Sequence, residues 1–231
     1  MKVVILQPSY IPWRGYFDQI YQADLFVFYD NVQYDKRGWR NRNQIKTANK
    51  KQWLTIPVNS KGAQIKHTPI NQIPIIWDSA WNQTHLKTLR HAYSKAPYFL
   101  RYLGLFEEFY ARRDEYLADF TIDFTIAIAR EMGIRKTHFM RSSELEGISG
   151  EKTDRLISVL QAVGASAYLS GPSARDYIED DKFKEAGIAL SYMAYDYPEY
   201  PQLYPPYDPF VSIIDLLVMT GDDALSHIIA N

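Results

Sequence analysis

Cysteine is absent from this 231-residue chain. Its absence excludes disulfide bonds, cysteine-ligated zinc, iron–sulfur clusters and thiol nucleophiles. A protein that folds without disulfide bonds suits a reducing compartment, so we expect it in the cytoplasm.

Long hydrophobic runs and a large net charge are also missing. The first apolar run, residues 3–6, is too short for a secretory h-region or a membrane-spanning helix. Lys and Arg number 26 against 27 Asp and Glu, which gives a formal net charge of -1. We therefore expect neither a transmembrane segment nor a nucleic-acid partner, although a local basic patch is compatible with this balance.

The composition otherwise indicates a folded globular protein, with 46% hydrophobic and 23% charged residues. Aromatic residues reach 15% and include 18 tyrosines, whose rings and hydroxyls suit the recognition of sugars and bases. No internal repeat or Gly/Ser linker divides the chain. We therefore predict a single α/β domain over residues 1–231.

The order of apolar patterns predicts a mostly parallel central sheet with helices on both faces, in a Rossmann-like or nucleotidyltransferase-like arrangement. A buried strand at 3–6, a helix at 16–23 and a second strand at 24–29 form one strand–helix–strand unit. Further strands are predicted at 52–58, 73–76, 139–142, 167–170 and 189–193, and helices at 152–163 and 212–219. Helical spacing over about 78–132 predicts a helical subdomain inserted in this fold. Recurrent proline makes 195–207 a loop.

The loop after the first strand occupies the place where open α/β sheets bind ligands. Nucleotidyltransferases and class I aminoacyl-tRNA synthetases carry an H-x-G-H turn there, and this chain has Trp13-Arg14-Gly15-Tyr16 instead. Arg14 supplies a charge and Gly15 permits close backbone approach, but the histidines are missing. A turn packed by Tyr10 and Trp13 for structural reasons explains the pattern equally well.

The segment after the second strand combines carboxylate, amide and guanidinium groups. Asp30 is placed to accept a sugar hydroxyl or to act as a base, and Trp39 offers a stacking face. The candidate diphosphate ligands are the basic residues Arg37, Arg40, Arg42 and Lys46. A solvated basic loop is the alternative, and single-stranded nucleic acid would use the same elements.

A third cluster follows the strand at 167–170, where Ser170-Gly171 leads into a helix that Ser173 is expected to cap. Ser170, Arg175 and Tyr177 are candidate ligand contacts. Lys152, Thr153 and Arg155 begin the preceding helix and are expected to face the same opening. A plain strand–turn–helix connection would show a similar pattern.

No metal-like spacing links the five histidines, and the sequence contains neither a P-loop nor a Gly-x-Ser-x-Gly elbow. His85 is a candidate general base because an unperturbed imidazole titrates near neutral pH. A histidine buried in the core, or lying on a helix surface, is the alternative. The sequence predicts no metal site and identifies no cofactor.

Several stretches form a set that runs along nearly the whole chain. They are Gln7-Pro8-x-Tyr10-x-Pro12-Trp13-x-Gly15-Tyr16-Phe17, Ala23-Asp24, Asp30-x-Val32-Gln33-Tyr34, Asn41-Arg42-Asn43, Tyr168-Leu169-Ser170-Gly171, Tyr200-Pro201-Gln202, Ser212-Ile213-Ile214-Asp215-Leu216-Leu217 and Gly221. Together they closely resemble the WbqC-like protein family. The resemblance implies a bacterial protein encoded among O-antigen and other polysaccharide genes, and a transferase, in some descriptions of glycine onto an amino sugar.

The residues and the resemblance together predict a transferase that passes an acyl or aminoacyl group, glycyl for example, to a nucleotide-linked amino sugar. Its predicted catalytic residues are Asp30, His85 and Asn41. Its predicted substrate-binding residues are Gln7, Tyr10, Trp13, Gly15, Tyr16, Gln33, Arg42, Asn43, Lys46, Ser170, Gly171, Arg175, Tyr177 and Gln202. Two alternatives remain open: an ATP-dependent adenylating or nucleotidyl-transferring enzyme, and a non-catalytic binding or assembly protein.

Overall fold

A computed structural model describes residues 1–229 and contains seven strands and seven α-helices within that range. In chain order the elements are β1 (Lys2–Leu6), α1 (Arg14–Gln22), β2 (Leu25–Phe28), β3 (Arg42–Lys46), β4 (Lys51–Thr55), α2 (Trp81–Tyr93), α3 (Phe99–Ala111), α4 (Leu117–Glu131), β5 (His138–Arg141), α5 (Lys152–Ala162), β6 (Ala167–Ser170), α6 (Asp180–Glu185), β7 (Ala189–Tyr192) and α7 (Ile213–Thr220). No helix in this range has both the length and the apolar character needed to cross a membrane.

Five strands form one parallel sheet in the order β5-β2-β1-β6-β7. The central strand β1 has β2 on one side and β6 on the other, so the chain leaves β1 first in one direction and later returns to extend the sheet in the other. This reversal is a topological switch point, and it opens a crevice at the carboxyl ends of β1, β2 and β6. The predicted Rossmann-like parallel sheet is confirmed.

Helices cover both faces of the sheet because successive strand residues point to opposite sides. Val4 and Phe26 belong to the apolar cluster that includes α1, α4 and α7. Val3 and Val27 belong to a second cluster, formed with α5 and α6. The predicted coverage of both faces is therefore confirmed.

The predicted helical stretch contains three helices, α2, α3 and α4. The expected break at Ala96-Pro97 separates α2 from α3, and a second break separates α3 from α4. Side chains of all three helices share one apolar cluster with the inner strands of the sheet.

Two local predictions were wrong. Residues 73–76 form isolated bridges, Val58 with Ile75 and Pro74 with Tyr116, instead of a strand, since a proline nitrogen cannot donate to a ladder. Ser173 does not cap a helix: a 3-10 turn, Pro172–Asp176, follows β6, with Gly171 at its N-cap position.

The proline-rich segment 195–207 is an irregular loop, as its composition predicts. Arg14 holds it against the domain, because its Nη1 donates to the carbonyl of Pro198 at 2.8 Å and its guanidinium lies 4.7 Å from the Tyr197 ring centroid. The segment is therefore part of the fold and not a free strand of chain.

Candidate functional site

A cleft of about 1680 Å³ lies at the switch point of the sheet. Its walls come from the loop after β1, the segment after β2, the start of α5 and the turn after β6. Because these four segments follow or precede different strands, the parallel sheet brings together residues that are far apart in sequence. Six of the predicted binding residues line it: Gln7, Trp13, Tyr16, Gln33, Asn43 and Tyr177.

Arg40 is the most deeply placed cation of the cleft. Its Nη1 donates to the backbone carbonyls of Gln7 at 3.0 Å and Pro8 at 3.3 Å, which fixes the guanidinium beside the end of β1. Its Nε is buried without a hydrogen-bond partner. Burial lowers the pKa of Arg40, but a guanidinium remains charged at neutral pH. The group is thus a fixed positive charge with a donor left to use.

The N-terminus of α5 opens into the same cleft, and Gly150, Glu151, Lys152 and Arg155 line it there. Gly150 has φ +81°, and a Cβ at this position would lie 2.9 Å from the Asp154 Cβ. Only glycine therefore allows the backbone before α5 to pack this closely against the first turn of the helix. The buried Nε of Arg155 has no hydrogen-bond partner. Two cationic side chains and the positive end of a helix dipole therefore face one cavity.

Four tyrosines line the cleft: Tyr177 is exposed, and Tyr16, Tyr29 and Tyr168 are buried or half-buried. Burial raises the pKa of the last three, and for Tyr29 the nearby Arg155 opposes that rise. These hydroxyls are therefore neutral at physiological pH. That of Tyr16 donates to the Gln7 carbonyl at 3.1 Å, which leaves those of Tyr29 and Tyr168 to donate to an oxygen-rich ligand.

Backbone strain is concentrated around this cleft. Within residues 1–229, three non-glycine residues have positive φ: Ile11 at 38°, His67 at 50° and Lys152 at 49°. His67 and Lys152 line the cleft, and Ile11 directly precedes Pro12, which also lines it. Such conformations cost of order 1–3 kcal/mol each and are typical of functional sites.

Asn43 explains how the strained loop is held. Its Nδ2 donates to the carbonyls of Ile11 at 2.9 Å and Tyr10 at 3.3 Å. The first strand of the β3–β4 hairpin thus fixes the loop that follows β1. Asn43 is a positioning residue as well as part of the cleft wall.

His85 lies outside the cleft, on α2, and is 5% exposed. Its Nε2 accepts the Thr55 backbone N–H at 3.2 Å, and its Nδ1 lies 2.9 Å from the Tyr10 hydroxyl. The Tyr10 hydroxyl in turn bonds to that of Tyr110. Burial lowers the pKa of His85 to about 4. The imidazole is therefore neutral, with both nitrogens occupied by internal partners.

Asp30 is fully buried at the end of β2 and also lies outside the cleft lining. Its carboxylate accepts hydrogen bonds from the Ser143 N–H at 3.0 Å and the Ser143 hydroxyl at 2.7 Å. The Ser142 hydroxyl lies 3.1 Å from it and closer, at 2.7 Å, to the Asn31 amide oxygen. These contacts tie the end of β2 to the turn that follows β5.

The predicted residues of the hairpin have internal partners as well. The Asn41 amide donates to the Ile56 carbonyl at 2.8 Å, and Arg42 donates to the Arg37 carbonyl at 2.8 Å. Lys46 Nζ bonds to Gln202 Oε1 at 2.6 Å, so these two residues tie the hairpin to the proline-rich segment. None of the four predicted residues named in this paragraph lines the cleft.

The remaining predicted residues surround the cleft without lining it. Tyr10 is buried against His85, and at Gly15 a Cβ would collide with the Trp13 indole ring. The Ser170 hydroxyl lies 3.3 Å from that of Tyr168, Gly171 begins the turn after β6, and Arg175 stacks 4.7 Å above the Tyr192 ring.

Sequence reasoning missed several lining residues, namely Tyr29, Asp176, Glu179 and Phe210. Tyr29 could have been found, because it directly follows a predicted central strand. Phe210 carried no signal, since it reaches the cleft only through the folding of the C-terminal segment. Within the described part of the chain, no three His, Asp or Glu side chains are grouped as metal ligands would be.

Two comparisons with known proteins found matches to this chain. The chain is 39% identical over 229 residues to "Uncharacterized protein Rv1507c" of Mycobacterium tuberculosis, a match that covers 98% of this chain and 97% of that protein. No solved structure matches the chain. The model of the WbqC-like protein family matches residues 7–227, nearly the whole sequence. This chain belongs to the WbqC-like protein family.

Proposed function

We propose that this protein is a transferase of bacterial surface-polysaccharide (O-antigen) biosynthesis. It passes an acyl or aminoacyl group, such as glycyl, to the amine of a nucleotide-linked amino sugar bound in the cleft. Family membership supports a biosynthetic role, and the chemistry of the cleft supports this class of substrate.

The carrying observation is a set of cations without acidic partners. Arg40, Lys152 and Arg155 line the cleft, and within residues 1–229 none of them forms an ion pair with a carboxylate. Buried guanidinium donors that lack partners are costly, by roughly 1–3 kcal/mol each. A diphosphate supplies the oxygens that would satisfy them through charge-assisted hydrogen bonds.

The size and polarity of the cleft fit the rest of such a substrate. At about 1680 Å³ it exceeds the roughly 300–1,000 Å³ of common small-molecule pockets. A nucleotide-linked sugar and an acyl donor can therefore be held together. The hydroxyls of Tyr29 and Tyr168 are available to bind sugar oxygens.

In the proposed step the neutral amine of the sugar attacks the carbonyl carbon of an acyl thioester. A C–N bond forms, the C–S bond breaks, the thiolate leaves with the bonding electron pair, and a base takes the proton from nitrogen. Rate enhancement comes mainly from holding both substrates in one cavity. Because Asp30 and His85 are occupied by internal partners, the carboxylates of Glu151, Asp176 and Glu179 are better placed to receive that proton.

The test is a thermal-shift panel of ATP, coenzyme A thioesters, free amino acids, and UDP-, dTDP- and GDP-linked amino sugars. Selective binding to the folded state raises the midpoint. Lys152→Gln is compared with Lys136→Gln, which lies exposed before β5 at the opposite edge of the sheet. We expect a rise with a nucleotide-linked amino sugar that Lys152→Gln reduces and Lys136→Gln retains.

The same panel separates the alternatives. A rise with ATP alone would contradict the proposal and favour an adenylating enzyme. Binding of a nucleotide-linked amino sugar is then followed by incubation with acyl thioesters, and mass spectrometry measures acyl addition to the sugar. Binding without any addition across the thioester panel would favour a non-catalytic binding protein.

A further inference from the structure

We infer that the cleft fixes the direction of its ligand, with the nucleobase on Trp39 and the amino sugar beside Asp176 and Glu179. This inference rests on the proposed function and adds the residues that recognise each half of the substrate. It follows from a difference in charge and in aromatic character between the two ends of the cleft.

The end of the cleft that follows β2 is basic and aromatic. Residues 31–67 contain nine Lys and Arg but only one acidic residue, in a chain whose total charge is -1. Trp39 lines the cleft and is 49% exposed. Its ring stacks on that of Trp53 with 5.4 Å between centroids, and Arg42 lies 4.7 Å from the Trp53 ring. The Trp39 ring is therefore held by a neighbour while half of its surface remains available.

A second exposed aromatic residue lies at the same end. Phe210 lines the cleft and is 71% exposed. Lys51 of the hairpin contacts the turn that contains Phe210. It forms an ion pair with Asp208 at 3.0 Å and lies 5.8 Å from the centroid of the Phe210 ring. Exposed aromatic rings beside fixed cations are the elements that proteins use to stack a base and hold its phosphates.

The end of the cleft that follows β6 has the opposite character. Asp176 and Glu179 line it, and residues 176–181 contain four acidic residues and no Lys or Arg. Carboxylates repel phosphate, but they attract an ammonium group and accept hydrogen bonds from sugar hydroxyls. Because β2 and β6 lie on opposite sides of β1, the acidic and basic ends are separated across the sheet.

The start of α5 lies between the two ends of the cleft and is where the phosphates bind in this orientation. Arg155 lies close enough to Tyr29, which follows β2, to oppose the rise that burial causes in the pKa of that phenol. On the other side, the Thr153 hydroxyl accepts the backbone N–H of Glu179 at 3.3 Å. Lys152 and Arg155 therefore lie between the aromatic wall and the acidic wall. A nucleotide diphosphate sugar has the same order of groups, with base, phosphates and sugar in line.

The experiment measures dissociation constants by calorimetry for UDP, dTDP, GDP and inorganic pyrophosphate with the full chain. Trp39→Ala removes the stacking ring, Trp39→Phe retains an aromatic ring, and Tyr21→Ala removes a 42%-exposed ring of α1 that does not line the cleft. We expect Trp39→Ala to weaken nucleotide binding roughly tenfold and to leave pyrophosphate binding unchanged, as base stacking predicts. Trp39→Phe should retain most of the affinity, and Tyr21→Ala should bind as the native protein does.

A second arm compares UDP-glucosamine with UDP-glucose, or the matching pair for the nucleotide that binds. The double variant Asp176→Asn, Glu179→Gln should lose several-fold of the native preference for the amino sugar over the neutral sugar. Nucleotide binding unaffected by Trp39→Ala, or weakened as much by Tyr21→Ala, would overturn the orientation and leave the proposed function standing. A native protein that binds neither nucleotides nor pyrophosphate would overturn both.

Discussion

At the scale of single residues, chemistry that looks catalytic in the sequence is used for structure at two positions. The Thr55 N–H is a donor only, so the His85 Nε2 that receives it carries no proton, and the proton lies on Nδ1 toward the Tyr10 hydroxyl. The Asp30 carboxylate likewise contacts the hydroxyls of Ser142 and Ser143 inside the protein. The sequence shows that an imidazole and a carboxylate exist, but it does not show which groups surround them.

The buried imidazole predicts a dependence of stability on pH. The pKa of His85 falls from 6.5 to about 4 on folding, so the unfolded chain binds this proton more readily than the folded chain. The stability contribution is complete above about pH 6.5 and is lost as the pH falls toward 4, which amounts to about 3 kcal/mol. Urea denaturation at pH 7 and at pH 4 should show this loss in the native protein and a smaller loss in His85→Gln. Equal losses would contradict the assignment.

The contacts of Asp30 predict a second effect on stability. Asp30→Ala leaves the N–H and the hydroxyl of Ser143 without their charged acceptor. We expect a loss of about 2–4 kcal/mol in the free energy of unfolding, measured by urea denaturation at pH 7. Asp24→Ala is the comparison, because that side chain accepts one exposed backbone N–H, from Lys2, and should cost far less. Similar costs for the two variants would be inconsistent with the buried network.

At the scale of elements, apolar patterns in the sequence predicted the strands whose signal is local. The apolar run before Gln7 and that before Asp30 are the two central strands, because both faces of a parallel sheet are buried. The hairpin of β3 and β4 was only partly visible, since Arg42 and Gln44 lie on the outer face of β3 and Lys46, though buried, is also polar. A short polar strand paired at a hairpin lacks the hydrophobic signal on which prediction depends.

The proline-rich segment illustrates an element whose order comes from partners distant in sequence. Asp215 on α7 accepts the hydroxyls of Tyr93 and Tyr200, both at 2.9 Å, and the Gln202 amide at 2.9 Å. Burial raises the pKa of Asp215, and these hydrogen bonds oppose that rise. The carboxylate therefore fastens residues 195–207 to the helical layer. Composition predicted a loop, and only the fold reveals what holds it.

The hydrogen bonds to Asp215 predict a local effect on stability. Tyr200→Phe removes one hydrogen bond to a buried carboxylate and should lower the free energy of unfolding by about 1.5–3 kcal/mol. Limited proteolysis should then cut residues 195–207 faster. Tyr204→Phe is the matched control, because its hydroxyl donates to the neutral Ala92 carbonyl and should cost less. Cleavage rates that are the same in both variants would contradict the claim that Asp215 holds residues 195–207 in place.

At the scale of the whole molecule, the order of the strands creates the cleft. The sequence placed ligand-binding loops after the first two strands and after β6, and the sheet brings them to one edge. Gln7, Gln33 and Tyr177 could be placed in this way. Phe210 could not, because it follows no strand of the parallel sheet and its turn contacts Lys51, which is distant in sequence. Charge at the two ends of the cleft likewise emerges only when the segments are assembled.

The most direct test of the account is calorimetric titration with whichever nucleotide-linked amino sugar gives the largest thermal shift. Arg155→Ala removes a cation of the cleft, and Arg135→Ala removes an exposed arginine before β5, at the opposite edge of the sheet. Loss of a charge-assisted hydrogen bond should raise the dissociation constant at least about tenfold in Arg155→Ala. Arg135→Ala should bind as the native protein does. Equal affinity in all three proteins would contradict the claim that this cleft holds the substrate.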